Sequence, residues 1–358
     1  MDFRSALYLG MRHGARDGWA AWASLTLGKP AALQEPPGAA ALAQELAALQ
    51  GCEAATLLPS TLHLYRDVFG LLAQGVFVQR PALLVDVAAY PIARWGVEWA
   101  AAQGMPVRRF RHGDLRQLCW LAQRAHRQGC APVVLADGYT PGDPWPPPLR
   151  AYADIVMPLD GWLVLDDTQA LGVLGQDGGG SVRLHGLQGA RVLAGASLAK
   201  GFGAPLAVLA GPAPAIAAFE QRSESRVHAS PPSVAVIAAA RHALRVNARD
   251  GPSLRRTLLA RIRQLRQALA ALGLACHGGG FPVQLVPLPP MSSGDAAALA
   301  EQVQGVLLRT KSGLALALLL RADHREADVT RVAALLANGI ARCGGGHGNR
   351  IRDIAVFS

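Results

Sequence analysis

Three strings in this sequence put reactive side chains where a buried strand gives way to a turn. An apolar run in GWLVLDDTQALGVLG ends in Asp166-Asp167, and another in RVLAGASLAKGFG ends in Ser197-Leu198-Ala199-Lys200 ahead of a glycine-rich turn. In ATLLPSTLHLY a third run yields to a helix at Ser60-Thr61-Leu62. In an open parallel sheet, ligands bind beyond the carboxyl ends of the strands, so charged groups placed there face a site and not the core. A lysine can lose its proton and act as an amine nucleophile, which arginine cannot do. The choice of lysine matters here because only Lys29, Lys200 and Lys311 occur among 35 basic residues. Free N–H groups at a helix start, with hydroxyls beside them, suit a phosphate.

An amine for an aldehyde, a carboxylate for a ring nitrogen and a cradle for a phosphate together describe pyridoxal 5′-phosphate. Lys200 is expected to form the Schiff base, and Asp166 to keep the pyridine nitrogen protonated so that the ring draws electrons from Cα of a bound amino acid. Ser197, three residues before the lysine, is placed to reach the phosphate. Simpler roles compete at each position. Ser60 and Thr61 can serve as helix caps and Asp166-Asp167 as turn carboxylates, and Asp167 is read as structural. His63, His112 and His277 are read as bystanders, and no metal-ligand spacing is present.

The elements that must hold these groups alternate along the chain. Pro36-Pro37-Gly38 precedes an amphipathic helix closed by Gly51. Strands are expected at 55–60, 82–87, 132–138, 161–167 and 191–197 and a short exposed strand followed by a turn at 106–114, with helices at 61–75, 92–104 and after Asp114; the proline-rich run 141–156 reads as a loop. Apolar strands separated by helices predict a mostly parallel sheet covered on both faces. Beyond Ser230-Pro231-Pro232 two helices are expected, the second placing Leu258, Ile262, Leu265 and Leu269 on one stripe and Arg255, Arg261 and Arg266 on a solvated face. FPVQLVPLPP, a helix at 294–306, a strand at 313–320 and a helix at 326–341 complete a small α+β region. The expected division is an arm at 1–38, a large domain at 39–232, a helical connection and small domain at 233–342, and a poorly ordered Gly-rich basic tail at 343–358.

Composition narrows the class. At 358 residues, 51% hydrophobic and 17% charged, the chain is neither disordered nor a small stapled scaffold. No stretch approaches the roughly 18 uninterrupted apolar residues of a membrane span, and the N-terminus lacks the apolar core of a secretory signal, so a cytoplasmic protein is expected. Five scattered cysteines argue against a disulfide framework. The formal charge of +10 comes with a strong preference for arginine over lysine, so it is weak support for a nucleic-acid partner, and none is expected.

The strings LVLDDTQALGVLGQDGGG and ASLAKGFG resemble the α-oxoamine synthase family of fold-type I pyridoxal-phosphate enzymes, whose typical forms are VDDAHGxGxxGxxGxG and T-L-S-K-x-x-G. The likeness runs in order over about residues 40–340, through LAQELAALQGCEAATLLPS, VRRFRHGDLRQL and ADGYTPGD. It implies the α/β fold of type I pyridoxal-phosphate transferases, with a mostly parallel seven-stranded sheet in the large domain. It also implies that Lys200 carries the cofactor, that Asp166 holds its ring nitrogen and that the turn at Ser60, Thr61 and Leu62 lies at its phosphate. The family's ring-stacking histidine falls on Tyr90, the histidine of its DDAH string on Gln169, and its xGxxS hydroxyl on Thr140. A phosphate contact from a neighbouring subunit falls near His228, which implies a homodimer with a shared active site.

This chain departs from the pattern where the family grips a substrate carboxylate. Ala315 and Ala317 stand near the expected arginine, and Arg309 and Lys311, just upstream in what reads as a shortened loop, are the nearest replacements. The implied activity is condensation of an amino acid with an acyl thioester, on coenzyme A or an acyl carrier protein, to an α-aminoketone through a quinonoid intermediate. The alternatives are another pyridoxal-phosphate reaction, such as transamination, racemisation or aldol-type cleavage, on a substrate lacking the usual clamp, or a degenerate non-catalytic homologue.

Overall fold

The computed structural model describes residues 2–14, 19–310 and 312–343. Seven strands form one sheet: β1 (Ala54–Leu58), β2 (Pro81–Asp86), β3 (Val107–Phe110), β4 (Ala131–Asp137), β5 (Trp162–Asp166), β6 (Val192–Ser197) and β7 (Ala207–Gly211). Their order across the sheet is β1-β7-β6-β5-β4-β2-β3. Only β7 runs against its neighbours, pairing antiparallel with both β1 and β6. The remaining pairs are parallel.

Every residue of β2, β4, β5 and β7 is buried, as a sheet covered on both faces requires. On one face Leu83, Val85, Val133, Leu135 and Val164 meet the helices Thr61–Ala73 and Pro91–Ala102 through Leu64, Tyr65, Phe69, Ala93 and Val97. The alternate residues Leu84, Val134, Ala136, Leu163 and Leu165 face the helices Leu115–Arg127 and Leu149–Val156. The side chains of a strand alternate between faces, so both layers come from the same short apolar runs.

The described chain divides into two units. The larger comprises residues 11–139 and 147–249 and holds the seven-stranded sheet; the smaller comprises residues 2–10, 140–146 and 250 onward. In the smaller unit β8 (Val283–Pro287), β9 (Val306–Thr310) and β10 (Gly313–Leu319) form an antiparallel sheet in the order β8-β10-β9, with helices Ser293–Val303 and Glu326–Cys343. The tail from residue 344, expected to be poorly ordered, lies outside the described residues.

Four expectations need correction. The proline-rich stretch is a loop only to Pro148; LRAYADIV then forms a helix, burying Leu149, Tyr152, Ala153 and Val156 on one face. The run after the Gly-rich turn forms β7, and Val306–Thr310 forms β9, neither of which the apolar pattern separated from its surroundings. The two helices expected after residue 232 are one, Val234–Ala271, which continues through Pro252, and the seam between the units falls inside it. The predicted apolar stripe is buried, but Arg261 and Arg266 are not on a solvated face. Arg261 donates to the His324 carbonyl and pairs with Glu326 at 2.8 Å, while Arg266 donates to the Gln284 side chain at 2.8 Å. Among the described residues no helix is long and apolar enough to cross a membrane.

Candidate active site

Strand register brings the carboxyl ends to one edge of the sheet. Leu58 at the end of β1 and Ser197 at the end of β6 both stand opposite Ala207 of β7, so the turns that follow them are about two strand spacings, ~10 Å, apart. Asp166 ends β5 opposite Gly195 of β6 on one side and opposite Asp137, the end of β4, on the other. Asp86 ends β2 one strand further along. Three neighbouring strands therefore finish in a buried aspartate.

The three carboxylates have different surroundings. Asp166 accepts the Thr168 N–H at 3.1 Å, and the nearby hydroxyls of Thr168 and Tyr65 also act to lower its pKa. Asp137 accepts one N–H, from Tyr90 at 3.1 Å. Burial raises both above the ordinary carboxylate range, and their mutual repulsion lifts Asp137 well above it. The polar groups around Asp166 favour its charged form more than the single Tyr90 N–H favours that of Asp137. Asp137 is thus the member of the pair that takes up a proton more readily. Asp86 is engaged elsewhere: Oδ1 accepts the Ala88 N–H, and Oδ2 meets His112 Nδ1 at 2.9 Å and the Tyr152 hydroxyl at 3.1 Å.

Lys200 follows the end of β6 within the turn. Its amine makes no hydrogen bond to a described residue and lies 5.9 Å from the centroid of the Tyr90 ring. Burial lowers its pKa, opposed by the charges of Asp166 and Asp137. An amine held in this way loses its proton more readily than a surface lysine. The turn is tight: a Cβ on Gly201 would lie 2.4 Å from the Leu171 carbonyl.

Asp167 is turned away from these groups. Both its oxygens accept the Ser181 N–H, and burial pushes its pKa up to about 6. Glycines make room for it, since a Cβ on Gly138 or Gly180 would come within 2.1 or 1.9 Å of a carboxylate oxygen. Thr168 links the two strand ends, accepting the Ser197 N–H at 3.0 Å, and the Ser197 hydroxyl accepts from Ala199 N.

The remaining predicted residues are placed as follows. Ser60 stands before the Thr61–Ala73 helix but does not cap it; its hydroxyl meets His63 Nδ1 at 2.9 Å. His63 thus pairs with Ser60, and His112 with Asp86. Thr61 is half-buried, and Leu62 and Tyr90 are exposed. Gln169 is half-buried in the turn after Asp166. Thr140 is buried with its hydroxyl unpartnered, in the segment grouped with the smaller unit. His228 is exposed at the end of the short helix Glu224–His228.

Arg309 is not in a loop. It lies within β9, in register with Leu314 of β10, while Leu308 stands opposite Ala315. Paired residues share a face, so Arg309 is on the opposite face of this sheet from Ala315 and Ala317. Lys311 lies outside the described residues.

Sequence reasoning missed Asp137, Thr168 and Tyr65. The string LAD carries the same signal as LVLD, an apolar strand closed by an aspartate, and would have found Asp137. Tyr65 sits within an apolar helix face that looks like ordinary core.

Comparison with known proteins extends this geometry. Residues 21–323 match the model of the aminotransferase class I and II family. The 8-amino-7-oxononanoate synthase of Nitrosococcus oceani is 33% identical over 243 residues, 64% of this chain and 62% of that one. That of Halorhodospira halophila is 33% identical over 315 residues, covering 83% and 73%. The match to the Nitrosococcus protein thus spans under two thirds of its length. Among solved structures, the serine palmitoyltransferase of Sphingomonas wittichii superposes with a TM-score of 0.83 at 18% identity, covering 95% of this chain and 86% of that one. The 8-amino-7-oxononanoate synthase of Francisella tularensis superposes with a TM-score of 0.77 at 15% identity, covering 96% and 98%. These likenesses match the seven-stranded sheet to the fold of type I pyridoxal-phosphate transferases. The sequence matches over most of its length, and the motifs around Asp166 and Lys200 agree with them: this chain belongs to the α-oxoamine synthase family, within the class I and II aminotransferases.

Proposed function

We propose that this protein is a pyridoxal-phosphate-dependent transferase that condenses an amino acid with an acyl thioester to give an α-aminoketone. The observation that carries the proposal is the pairing of a half-buried amine at Lys200, with no hydrogen bond to a described residue, and the buried carboxylate of Asp166 on one sheet edge. The names of the similar proteins, 8-amino-7-oxononanoate synthase and serine palmitoyltransferase, support the same chemistry.

The residues present fit the cofactor. When bound, pyridoxal phosphate supplies an aldehyde for an amine and a protonated ring that takes up the electron pair at Cα. Asp166 Oδ would hold the proton on the ring nitrogen. Lys200 Nζ would be the amine that holds the aldehyde, and a free amine at this position can accept a proton. Tyr90 stands beside the amine, its ring centroid 5.9 Å from Nζ, and its N–H is held on Asp137. The N–H groups at Thr61 and Leu62, where the helix dipole is positive, would take the phosphate with help from the Ser197 hydroxyl. Gln169 sits beside Asp166 in the turn and can donate to a ring oxygen through its amide, though it has no ring proton to shuttle.

A homodimer fits the surface of the larger unit. Arg66 stacks over Trp99 at 4.7 Å and reaches Glu224 at 3.7 Å, tying together a face that also exposes Leu62, Tyr90, Trp95 and Val227. An apolar face of this kind, with His228 at its border, suits a second copy of the chain that shares the site.

The test is to supply amino acids with and without acyl-CoA and measure free thiol. Thiol release that requires both substrates supports condensation. The absence of cation side chains from β10 favours a second reading, a different pyridoxal-phosphate reaction on an amine whose carboxylate is not clamped there. Turnover of an amino substrate with no thiol released would establish that one instead.

A further inference from the structure

We propose that His13 is a positioning residue for Lys200, its Nε2–H capping the turn that carries the reacting amine. This rests on the reading that Lys200 is the amine that takes pyridoxal phosphate.

Lys200 sits in one tight turn at residues 198–202. The Phe202 N–H closes that turn on the Leu198 carbonyl at 3.1 Å, and the Ala204 N–H reaches the same carbonyl at 3.3 Å. The Phe202 carbonyl, at the far end, finds no such donor in the backbone that follows it. Residue 205 is a proline and has no N–H to give. The Leu206 N–H is taken by the Ala204 carbonyl at 2.9 Å. Phe202 is fully buried, so its carbonyl would be costly to leave unmet. His13 Nε2 lies 3.0 Å from that oxygen. A carbonyl can only accept, so the imidazole is the donor and supplies the bond that Pro205 and Leu206 do not.

The imidazole is held for this task. His13 and Phe202 are 189 residues apart in the chain, yet both belong to the larger unit. The His13 ring packs edge-on against His242 of the long helix, with centroids 5.5 Å apart and planes at 72°. That contact alone calls only for a ring, which phenylalanine would provide equally well. The Nδ1 atom of His13 is buried and has no hydrogen-bond partner among the described residues, so a second proton there would meet no acceptor. The surroundings therefore suit the neutral ring with its proton on Nε2, the form the cap uses. Gly201 fixes the turn from within: a Cβ there would lie 2.4 Å from the Leu171 carbonyl and 3.2 Å from the Gly172 Cα. With Gly201 wedged and Phe202 capped, both residues after Lys200 are pinned, and with them the burial that lowers the pKa of its amine.

The experiment acetylates the cofactor-free full chain with acetic anhydride across pH and maps the labelled lysines, for the wild type, His13→Phe and His13→Gln. Phenylalanine keeps a ring against His242 but has no N–H, and glutamine restores a donor. Because the chain has only three lysines, Lys29 and Lys311 serve as internal references. In His13→Phe the pH at which Lys200 becomes reactive is expected to rise toward that of the exposed Lys29, with both references unmoved. Pyridoxal phosphate titrated into the same variants and followed by absorption is expected to bind about fivefold more weakly to His13→Phe, the worth of one neutral hydrogen bond. His13→Gln is expected to restore both. Wild-type values of both readouts in His13→Phe, or a His13→Gln that loses as much as His13→Phe, overturns the proposal. Should His13→Phe fail to fold, His13→Ala removes the donor in its place and must move the same two readouts; unmoved ones overturn the proposal. A wild type that takes up no cofactor overturns the proposed function, whereas the labelling comparison needs no cofactor and decides by itself whether His13 sets the Lys200 amine.

Discussion

Two buried carboxylates meet at the sheet edge, and the groups around them decide which takes up a proton more readily. Asp166 accepts the Thr168 N–H with the hydroxyls of Thr168 and Tyr65 nearby, and Asp137 accepts the Tyr90 N–H. Asp166→Asn removes the charge that would hold a protonated ring nitrogen, so the affinity for pyridoxal phosphate is expected to fall by about 10–100-fold. Asp137→Asn imitates the protonated form, keeps an acceptor for Tyr90, and is expected to stay within about threefold of wild type. Equilibrium titration of both variants checks the assignment, and equal losses would show that the two carboxylates share the charge. At this scale the sequence was legible where chemistry and punctuation coincide: a rare lysine and an aspartate, each closing an apolar run. It was illegible where a side chain acts from inside an element. Tyr65 looks like core because its ring is core, and only its oxygen reaches the site.

Among the elements, the turn after β5 depends on glycines that leave space for Asp167. Gly180 has φ near +77° and a Cβ there would lie 1.9 Å from Asp167 Oδ2, so Gly180→Ala is expected to cost about 3–5 kcal/mol, read as a drop in melting temperature. Asp167 itself gives the fold a pH dependence. Its pKa is near 6 in the folded chain and about 4 in the unfolded one, so the folded state binds more protons between those values. Its contribution is therefore fullest below pH ~4 and declines by up to about 3 kcal/mol as pH rises through ~6. Asp167→Asn is expected to flatten the melting-temperature profile in that window; an unchanged slope would show that Asp167 titrates normally. In the long helix, Pro252 is exposed and lacks the N–H its position calls for, so Pro252→Ala is expected to raise stability by about 1–3 kcal/mol. Here too legibility followed local physics. The helix at Leu149–Val156 was hidden by the prolines before it, although its i, i+3, i+4, i+7 stripe is plain once they are set aside. Pro252 hid the continuity of its helix, because a proline after glycine normally marks a break and here the apolar stripes on either side override it.

For the whole molecule, the parallel sheet and the small antiparallel one follow from the alternation of apolar runs and helical periods, and that much was open to reading. The seam between the units was not, since it lies inside a helix and draws in residues 2–10 and 140–146 from distant parts of the chain. The apolar face around Trp95 and Trp99 predicts that the protein sediments as a dimer at micromolar concentration. Trp99→Asp is expected to shift that equilibrium toward monomer and to weaken cofactor binding with it. A wild type that sediments as a monomer would remove the shared-site reading. Beneath all of this lies one covalent bond. Borohydride reduction of the protein with pyridoxal phosphate, followed by peptide mapping, is expected to find the pyridoxyl group on Lys200 and to find none there in Lys200→Ala. Labelling confined to Lys29 or Lys311, or no labelling at all, would contradict the assignment of Lys200 as the reacting amine.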